Sequence, residues 1–179
     1  THHGLFDVAM LTTVPGVTVY SPSDTAELSQ CLEQALYKDK GIVAVRYPRG
    51  CELYRSGTKA YSDFRHVSNK SRKLIFTYGR ISAYAYTIHG VDVLQAIKIF
   101  PIYDEIIDIC LAYDEIYAFE EGEREGGIAQ KLCTALALAG FKGRFTITAV
   151  DGFVRHADVA TQLHNAMLDA DGMRKITGE

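Results

Sequence analysis

Short β-rich apolar runs alternate with helical stretches along most of this chain, and this alternation constrains the fold more than any other feature. Two such runs, Val17–Tyr20 and Ile42–Val45, flank a stretch whose apolar residues recur at helical spacing from Leu28 to Leu36. That spacing puts an apolar stripe on one face of a helix. Repeated strand–helix–strand order implies right-handed crossovers and a mainly parallel sheet. The chain is therefore predicted to be an α/β protein.

The first 50 residues are predicted to form a strand, a helix and a strand. Ser21 is the predicted helix N-cap, Pro22 the first helical residue, and Asp24 completes a capping box. Gly41 ends the helix. Ile42–Val45 is a continuous apolar run, as expected for a parallel strand that is covered on both faces.

The second half of the chain repeats the alternation after a change in composition. Residues 51–71 mix small polar residues with isolated aromatics and show no clean period, which favours an interdomain linker. Strands are then predicted at 74–78, 93–100, 116–119 and 145–150. The longest helix is predicted from Ile128 to Ala139, and Asp158 is expected to cap the last one. We therefore expect domains at 1–50 and 72–179.

Composition excludes several classes of function. The net charge is −3 and the basic residues are scattered, which argues against nucleic acid or an anionic membrane as the main partner. The apolar stretch from Leu132 to Gly140 is too short to span a bilayer. The four cysteines form no C-x-x-C pair, so we expect reduced thiols in the cytoplasm and no metal site.

Two motifs carry side chains that suit ligand chemistry. Thr1-His2-His3-Gly4 places two imidazoles beside a glycine, which favours acid–base work or anion contact, although a frayed terminus or a tag remnant is the alternative. Arg46-Tyr47-Pro48-Arg49-Gly50 follows a predicted parallel strand, and ligands bind at the carboxyl ends of such strands. The planar guanidinium of Arg49 suits a phosphate or carboxylate, and a salt-bridged loop is the competing interpretation.

Two other polar segments are predicted to be structural. Residues 120–127 contain four carboxylates, which would repel a phosphate, and no glycine-rich phosphate motif. We expect these acids to face a helix N-terminus, with Gly126 and Gly127 allowing a tight turn. Residues 151–156 combine Asp, Arg and His without a nucleophile nearby, so a loop that satisfies its own polar groups is expected.

Taken together, the motifs resemble the 1-deoxy-D-xylulose-5-phosphate synthases, a family of transketolase-like enzymes. The shared segments occur in the same order and at similar spacing, at residues 1–7, 14–16, 19–24, 44–50, 78–79, 119–122, 126–127 and 151–156. The resemblance covers essentially the whole chain, and Ala157, where the family usually has glycine, departs from it. It implies a partial pyrimidine-binding domain, a βαβ remnant, at 1–50. A three-layer α/β domain of the transketolase C-terminal type, with a mainly parallel sheet, would follow.

The resemblance also implies an activity. The family condenses pyruvate with glyceraldehyde 3-phosphate, releases carbon dioxide and forms 1-deoxy-D-xylulose 5-phosphate, using thiamine diphosphate and Mg²⁺. Carried over by position, His2 is expected to hold or protonate the substrate and Arg49 to grip its phosphate. The residues that bind the cofactor would lie before Thr1, so the fragment alone is expected to bind none and to be inactive. The family's C-terminal domain contributes to homodimer contacts, so a homodimer is expected.

Two alternatives stay open. Another transketolase-like enzyme, such as transketolase itself or the β subunit of a 2-oxo-acid dehydrogenase, would share the fold and cofactor but use a different acceptor. The motifs at 1–4 and 47–50 favour the synthase. A non-catalytic module that mainly builds a dimer is the alternative from a different class.

Overall fold

The computed structural model describes residues 4–48, 50, 52–53 and 61–179. Its helices are α1 (Asp7–Leu11), α2 (Thr25–Tyr37), α3 (Ser82–Ala85), α4 (Asp104–Leu111), α5 (Ile128–Leu138), α6 (Val159–Asn165) and α7 (Ala170–Thr177). Its strands are β1 (Val17–Tyr20), β2 (Ile42–Val45), β3 (Phe64–Val67), β4 (Lys73–Tyr78), β5 (Asp92–Ala96), β6 (Lys98–Phe100), β7 (Glu115–Glu123) and β8 (Arg144–Val150). Within these ranges, no helix is long and apolar enough to cross a bilayer.

The strands form two sheets. The order in the first is β2-β1-β6, with β1 and β2 parallel and β6 antiparallel to β1. The order in the second is β3-β5-β4-β7-β8, in which β4, β5, β7 and β8 are parallel and β3 is an antiparallel edge strand. The predicted α/β class with a mainly parallel sheet is confirmed.

Helices cover both faces of the five-stranded sheet and so produce three layers. One apolar cluster joins the sheet to α4 and α5 and includes Val8, Val17 and Val19 from the first 20 residues. A second cluster on the other face is closed by α3, α6 and α7. The first 50 residues therefore share a continuous core with the rest of the chain.

The segment predicted as one strand at 93–100 is two strands that belong to different sheets. The break is at Ile97, whose N–H and that of Lys98 both donate to the carbonyl of Asp63, at 2.8 and 2.9 Å. The Ile97 carbonyl accepts from the N–H of Ser21 at 2.8 Å. The prediction of a single strand was wrong because the β-rich stretch from Val93 to Phe100, in which only Gln95 and Lys98 are polar, gives no sign of where a strand changes sheets.

A strand also lies inside the segment predicted as a linker. β3 pairs with β5 from Phe64, opposite Ala96, to Val67, opposite Val93. The prediction was wrong for these residues because an edge strand that carries Arg65 and His66 lacks the apolar run expected of a buried strand. The domain limits at 50 and 72 stay a prediction.

Helix α2 begins later than predicted. Its N-cap is Asp24, whose Oδ1 accepts the N–H of Glu27 at 2.8 Å, and the Glu27 carboxylate accepts the N–H of Ser23 at 2.7 Å. Ser21 is not the cap, because its N–H bonds Ile97 and its carbonyl accepts the N–H of Gly79 at 3.2 Å. Tertiary contacts thus hold residues 21–23 out of the helix.

The apolar stripe of α2 and the strand β2 are less covered than predicted. Cys31 is buried, but Leu36 is 70% exposed. Ile42 is 55% exposed, and β2 lies at the edge of its sheet. The expectation that β2 is covered on both faces is therefore wrong for the described part of the chain.

Candidate functional site

The carboxyl ends of the two sets of parallel strands face each other. β1 runs antiparallel to β6, and β6 follows β5 after the single residue Ile97, so the end of β1 meets the ends of β5 and its parallel neighbour β4. The backbone bonds from Ser21 to Ile97 and from Gly79 to Ser21 close this seam. Because ligands of α/β sheets bind beyond the carboxyl ends of the strands, the seam is the candidate site.

The order of the five-stranded sheet selects one place along this seam. β5 lies on one side of β4, whereas β7, the next strand of this sheet in sequence, lies on the other. Such a reversal is a topological switch point, at which the following loops diverge and leave a crevice. The crevice between β4 and β7 is bordered by Tyr78 and Gly79 from one strand end and Glu120 from the other.

Arg46 spans the seam directly after β2. Its Nε donates to Oδ2 of Asp7 at 2.9 Å, and its Nη2 donates to the carbonyls of Gly4 at 3.2 Å and Glu121 at 2.7 Å. Only 17% of the side chain is exposed. Burial opposes the charge, but Tyr78, Asp7 and Glu121 raise the pKa of Arg46 above its ordinary value, so the guanidinium stays charged. We call this set of three bonds the Arg46 clamp.

The N-terminal segment makes further contacts beside the Arg46 clamp. The carbonyl of Leu5 accepts the N–H of Glu123 at 2.8 Å. The rings of Phe6 and Phe153 meet edge to face, with centroids 5.2 Å apart. The chain that immediately follows the two histidines therefore lies against the end of β7 and the loop after β8.

Glu120 occupies the N-terminus of α5. Its carboxylate accepts the N–H groups of Ile128 at 2.9 Å and Ala129 at 2.8 Å, and the hydroxyl of Tyr78 at 2.6 Å. Burial raises the pKa of Glu120 above its ordinary value, and these three hydrogen bonds offset only part of that rise. The structural prediction for residues 120–127 is confirmed here, because the position where a helix would attract an anion holds the protein's own carboxylate.

A glycine makes this arrangement possible. A Cβ added at Gly127 would lie 2.6 Å from Oε2 of Glu120 and 2.6 Å from the carbonyl of Glu123. Both distances are far inside van der Waals contact. Gly127 is therefore required by the close approach of the Glu120 carboxylate to the backbone.

Another ion pair lies at the seam, between Arg80 and Glu121. Nε of Arg80 donates to Oε2 of Glu121 at 2.8 Å, and Arg80 Nη2 bonds the other carboxylate oxygen. Their side chains are 16% and 12% exposed. Glu121 thus accepts hydrogen bonds from Arg46 at its backbone carbonyl and from Arg80 at its side-chain carboxylate.

In the loop after β8, Asp151 and Gly152 are bonded by residues at the end of β7, whereas the sequence predicted a loop that satisfies its own polar groups. Arg124 bonds Asp151, with Nε and Oδ1 2.6 Å apart, and the carboxylate of Glu123 accepts the N–H of Gly152 at 2.9 Å. The hydrogen bond to Asp151 raises the pKa of the Arg124 guanidinium above its ordinary value.

The two predicted site residues, His2 and Arg49, lie outside the described residues. Their sequence neighbours Gly4, Pro48 and Gly50 lie within them. Sequence reasoning did not single out Arg46, although its place directly after β2 is the signal that could have done so. Its partners Gly4 and Glu121 are 42 and 75 residues away, and nothing local in the sequence joins them.

Known proteins resemble this chain in sequence and in fold. Residues 1–52 match the family described as the pyrimidine-binding domain of transketolase. A 1-deoxy-D-xylulose-5-phosphate synthase from Thermus thermophilus is 30% identical over 98% of this chain and 30% of its own length. The synthase from Chlorobium phaeovibrioides is 32% identical over 95% of this chain and 29% of its own. The chain thus spans about 30% of the length of the curated relatives it matches.

A solved structure described as a split gene transketolase, inactive beta4 tetramer, has the same fold. Its TM-score is 0.77 at 17% identity, over 96% of this chain and 60% of that one. The chain therefore has the transketolase-like α/β fold. Among proteins of this fold, its relatives are the 1-deoxy-D-xylulose-5-phosphate synthases, which confirms the resemblance predicted from the motifs.

Proposed function

We propose that these residues form one wall of the active site of a thiamine-diphosphate enzyme. Its reaction condenses pyruvate with glyceraldehyde 3-phosphate, releases carbon dioxide and forms 1-deoxy-D-xylulose 5-phosphate, for isoprenoid and thiamine precursors. Similarity to the synthases over nearly the whole chain supports this proposal. The single observation that carries it is the Arg46 clamp, which joins the two motifs that the sequence marks as functional.

In this proposal His2 holds or protonates the substrate and Arg49 grips its phosphate. The Nη2 of Arg46 lies 3.2 Å from the carbonyl of Gly4. His2 precedes Gly4 by two residues and Arg49 follows Arg46 by three, so no more than about 11 Å of extended chain separates either from the Arg46 clamp. The proposal has both side chains act on one substrate at these strand ends.

The described residues do not fit the diphosphate and Mg²⁺. Among them, no three His, Cys, Asp or Glu side chains lie together in a group that could hold a metal ion. The N-terminus of α5, where a diphosphate would be attracted, holds Glu120. We therefore assign the binding of the cofactor to other parts of the enzyme. Isothermal titration of the 179-residue chain with thiamine diphosphate is expected to show no binding, and measurable binding would contradict the assignment.

The reaction itself is tested with the holoenzyme that contains these residues. Pyruvate with glyceraldehyde 3-phosphate is expected to give 1-deoxy-D-xylulose 5-phosphate, whereas ribose 5-phosphate with xylulose 5-phosphate is expected to give no transfer. Arg49→Met is expected to raise the KM for glyceraldehyde 3-phosphate, because it removes a charge-assisted bond to the phosphate. Arg72→Met is the matched control, since that arginine pairs with Asp114 at the surface. Turnover of the sugar pair alone would indicate a transketolase.

A second candidate function is that of a subunit that is inactive alone and works in an assembly. The solved chain of the same fold is described as an inactive tetramer. On this chain, α2 exposes Leu36 and Tyr37, which are 70% and 80% accessible, and exposed apolar patches mark interfaces. Sedimentation equilibrium is expected to show a homodimer or larger assembly, and a strictly monomeric chain would count against this role.

We also place the enzyme in the cytoplasm. The described cysteines, Cys31, Cys110 and Cys133, are free thiols, and two of them are buried. Free thiols suit a reducing compartment. Fractionation of the producing cells would test this location.

A further inference from the structure

We propose that Arg46 is a positioning residue for the reaction proposed above, and this inference rests on that proposed function. Through the Arg46 clamp, it fixes the segment that follows His2 and the loop that carries Arg49 to the same point on β7. Its action is exerted through these two segments, and no contact of Arg46 with the substrate is required.

The three acceptors explain why an arginine stands at this position. They are a carboxylate on α1 and two backbone carbonyls, and they come from two segments far apart in the chain, residues 4–7 and β7. A guanidinium presents its N–H groups in a rigid planar fork, so one side chain serves all three at once. The ammonium of a lysine is a point charge on a flexible stem and would keep only part of this geometry.

Two of the three hydrogen bonds in the Arg46 clamp depend on Arg46 alone, because their acceptors are backbone carbonyls. No side-chain substitution at Gly4 or Glu121 removes a backbone oxygen, so Arg46 alone controls both bonds. If the guanidinium is removed, Oδ1 of Asp7 still accepts the N–H of Val8 at 2.9 Å, and Leu5 still bonds Glu123. We therefore expect residues 4–8 to loosen and shift while the fold is kept.

The shift has a predicted catalytic effect. A displacement of about 1 Å in groups that orient a substrate can cost on the order of 100-fold in rate. The two displaced motifs are those assigned to the substrate and its phosphate, and the cofactor is assigned elsewhere. The loss should therefore fall on the use of glyceraldehyde 3-phosphate and spare the affinity for thiamine diphosphate.

The structural part is tested on the 179-residue chain by hydrogen exchange with mass spectrometry. Arg46→Met is expected to speed exchange in peptides that cover residues 4–12, and Arg46→Lys is expected to restore part of the protection. Arg72→Met is the control and should leave these peptides unchanged, because its partner Asp114 precedes β7 at the opposite end of the sheet. Unchanged exchange at 4–12 in a folded Arg46→Met would overturn the proposal.

Asp7→Asn covers the case in which Arg46→Met does not fold. It keeps the shape of the partner of Nε but removes its charge, so exchange at 4–12 is expected to rise to a smaller extent. Wild-type exchange in this variant, together with wild-type exchange in Arg46→Lys, would also overturn the proposal.

The catalytic part is tested on the holoenzyme. Arg46→Met is expected to lower kcat/KM for glyceraldehyde 3-phosphate about 100-fold, with Arg46→Lys intermediate and thiamine-diphosphate affinity unchanged. A purely structural role would lower the amount of active enzyme, and thus kcat, with KM unchanged; that result would overturn the positioning role. If the wild-type holoenzyme forms no 1-deoxy-D-xylulose 5-phosphate, the proposed function fails, whereas the exchange measurement still decides whether Arg46 holds residues 4–8.

Discussion

At the scale of single residues, Glu120 acts as an internal anion. Its carboxylate accepts hydrogen bonds from the N–H groups of Ile128 and Ala129. At the N-termini of other helices, the equivalent N–H groups bind phosphates. Tyr78 holds the carboxylate from the neighbouring strand. The N-terminus of α5 is thereby occupied by the protein's own carboxylate, which accepts two of the N–H groups that would otherwise attract an anionic ligand.

Gly127→Ala tests this close packing. The new methyl group would lie 2.6 Å from Glu120 Oε2, so the variant is expected to lose about 1 to 3 kcal/mol of unfolding free energy. Urea denaturation measures the loss. Gly4→Ala is the matched control, since no atom lies within 4 Å of its added Cβ. Equal stability of Gly127→Ala and the wild type would show that the carboxylate can move aside.

The pH dependence of stability tests the burial of Glu120. Its pKa is raised above the ordinary value of 4.5 in the folded protein, so above pH 4.5 the folded state keeps a proton that the unfolded state has released. Stability from this group is therefore present below the ordinary pKa and lost as the pH rises through the folded pKa.

The amide side chain of the Glu120→Gln variant has no ionisable group, so this variant should not lose unfolding free energy in this way as the pH rises. The wild-type unfolding free energy minus that of Glu120→Gln is expected to fall as the pH rises from about pH 4 and then to level off. Urea titrations over a pH series measure this difference. Glu33→Gln, at an exposed position of α2, serves as the control. A difference that does not change with pH would contradict the expected titration.

At the scale of elements, tertiary contacts decide where α2 begins. Local sequence favours Ser21 as the cap, but the bonds of Ser21 to Ile97 and Gly79 hold it in the seam. The first available cap is Asp24, and it is used. The start of this helix is therefore a consequence of how two sheets meet.

The two candidate caps are distinguished by substitution. Asp24→Ala is expected to cost about 1 kcal/mol, because it removes the acceptor of the Glu27 N–H. Ser21→Ala keeps the two backbone bonds of residue 21 and is expected to cost less. Urea denaturation with far-ultraviolet circular dichroism measures both. A larger loss of unfolding free energy for Ser21→Ala than for Asp24→Ala would indicate that Ser21 is the N-cap, as local sequence favours.

The sequence alone predicts the elements that bury continuous apolar runs. Strands β1, β2, β4, β7 and β8 and the helix α5 were found in this way, because their apolar residues form short runs or recur at helical spacing. The edge strand β3 and the helix α7 were missed, since their sequences are largely polar. The partners of Arg46 could not be predicted, because they are backbone carbonyls that the fold brings from distant segments.

At the scale of the whole molecule, a buried ion pair joins the first 50 residues to the five-stranded sheet. Glu27 on α2 is 1% exposed, and its Oε1 lies 2.8 Å from Nη2 of Arg65 on β3. The same carboxylate accepts from Gln95 on β5 at 3.0 Å. Together with the shared core, this contact predicts that the chain unfolds as one cooperative unit.

Removal of the Arg65 charge tests the buried ion pair between Arg65 and Glu27. Arg65→Met leaves the Glu27 carboxylate buried without its counter-ion and is expected to cost about 3 to 5 kcal/mol. The double variant Glu27→Gln with Arg65→Met should recover much of that loss. Lys38→Met is the control, because its pair with Glu33 is exposed and is worth less than about 1 kcal/mol. Two separate transitions in the wild type would contradict a single unit.

The segment that forms β5 and β6 contributes a strand to each sheet, and this affects how the protein would respond to a break in the backbone. β5 lies in the five-stranded sheet, and β6, one residue later, pairs with β1. A cut between residues 53 and 61 would therefore sever the backbone without dividing the structure, since the third strand of the first sheet stays with the second piece. The two pieces would be complementary fragments, each lacking part of a sheet that only the other supplies.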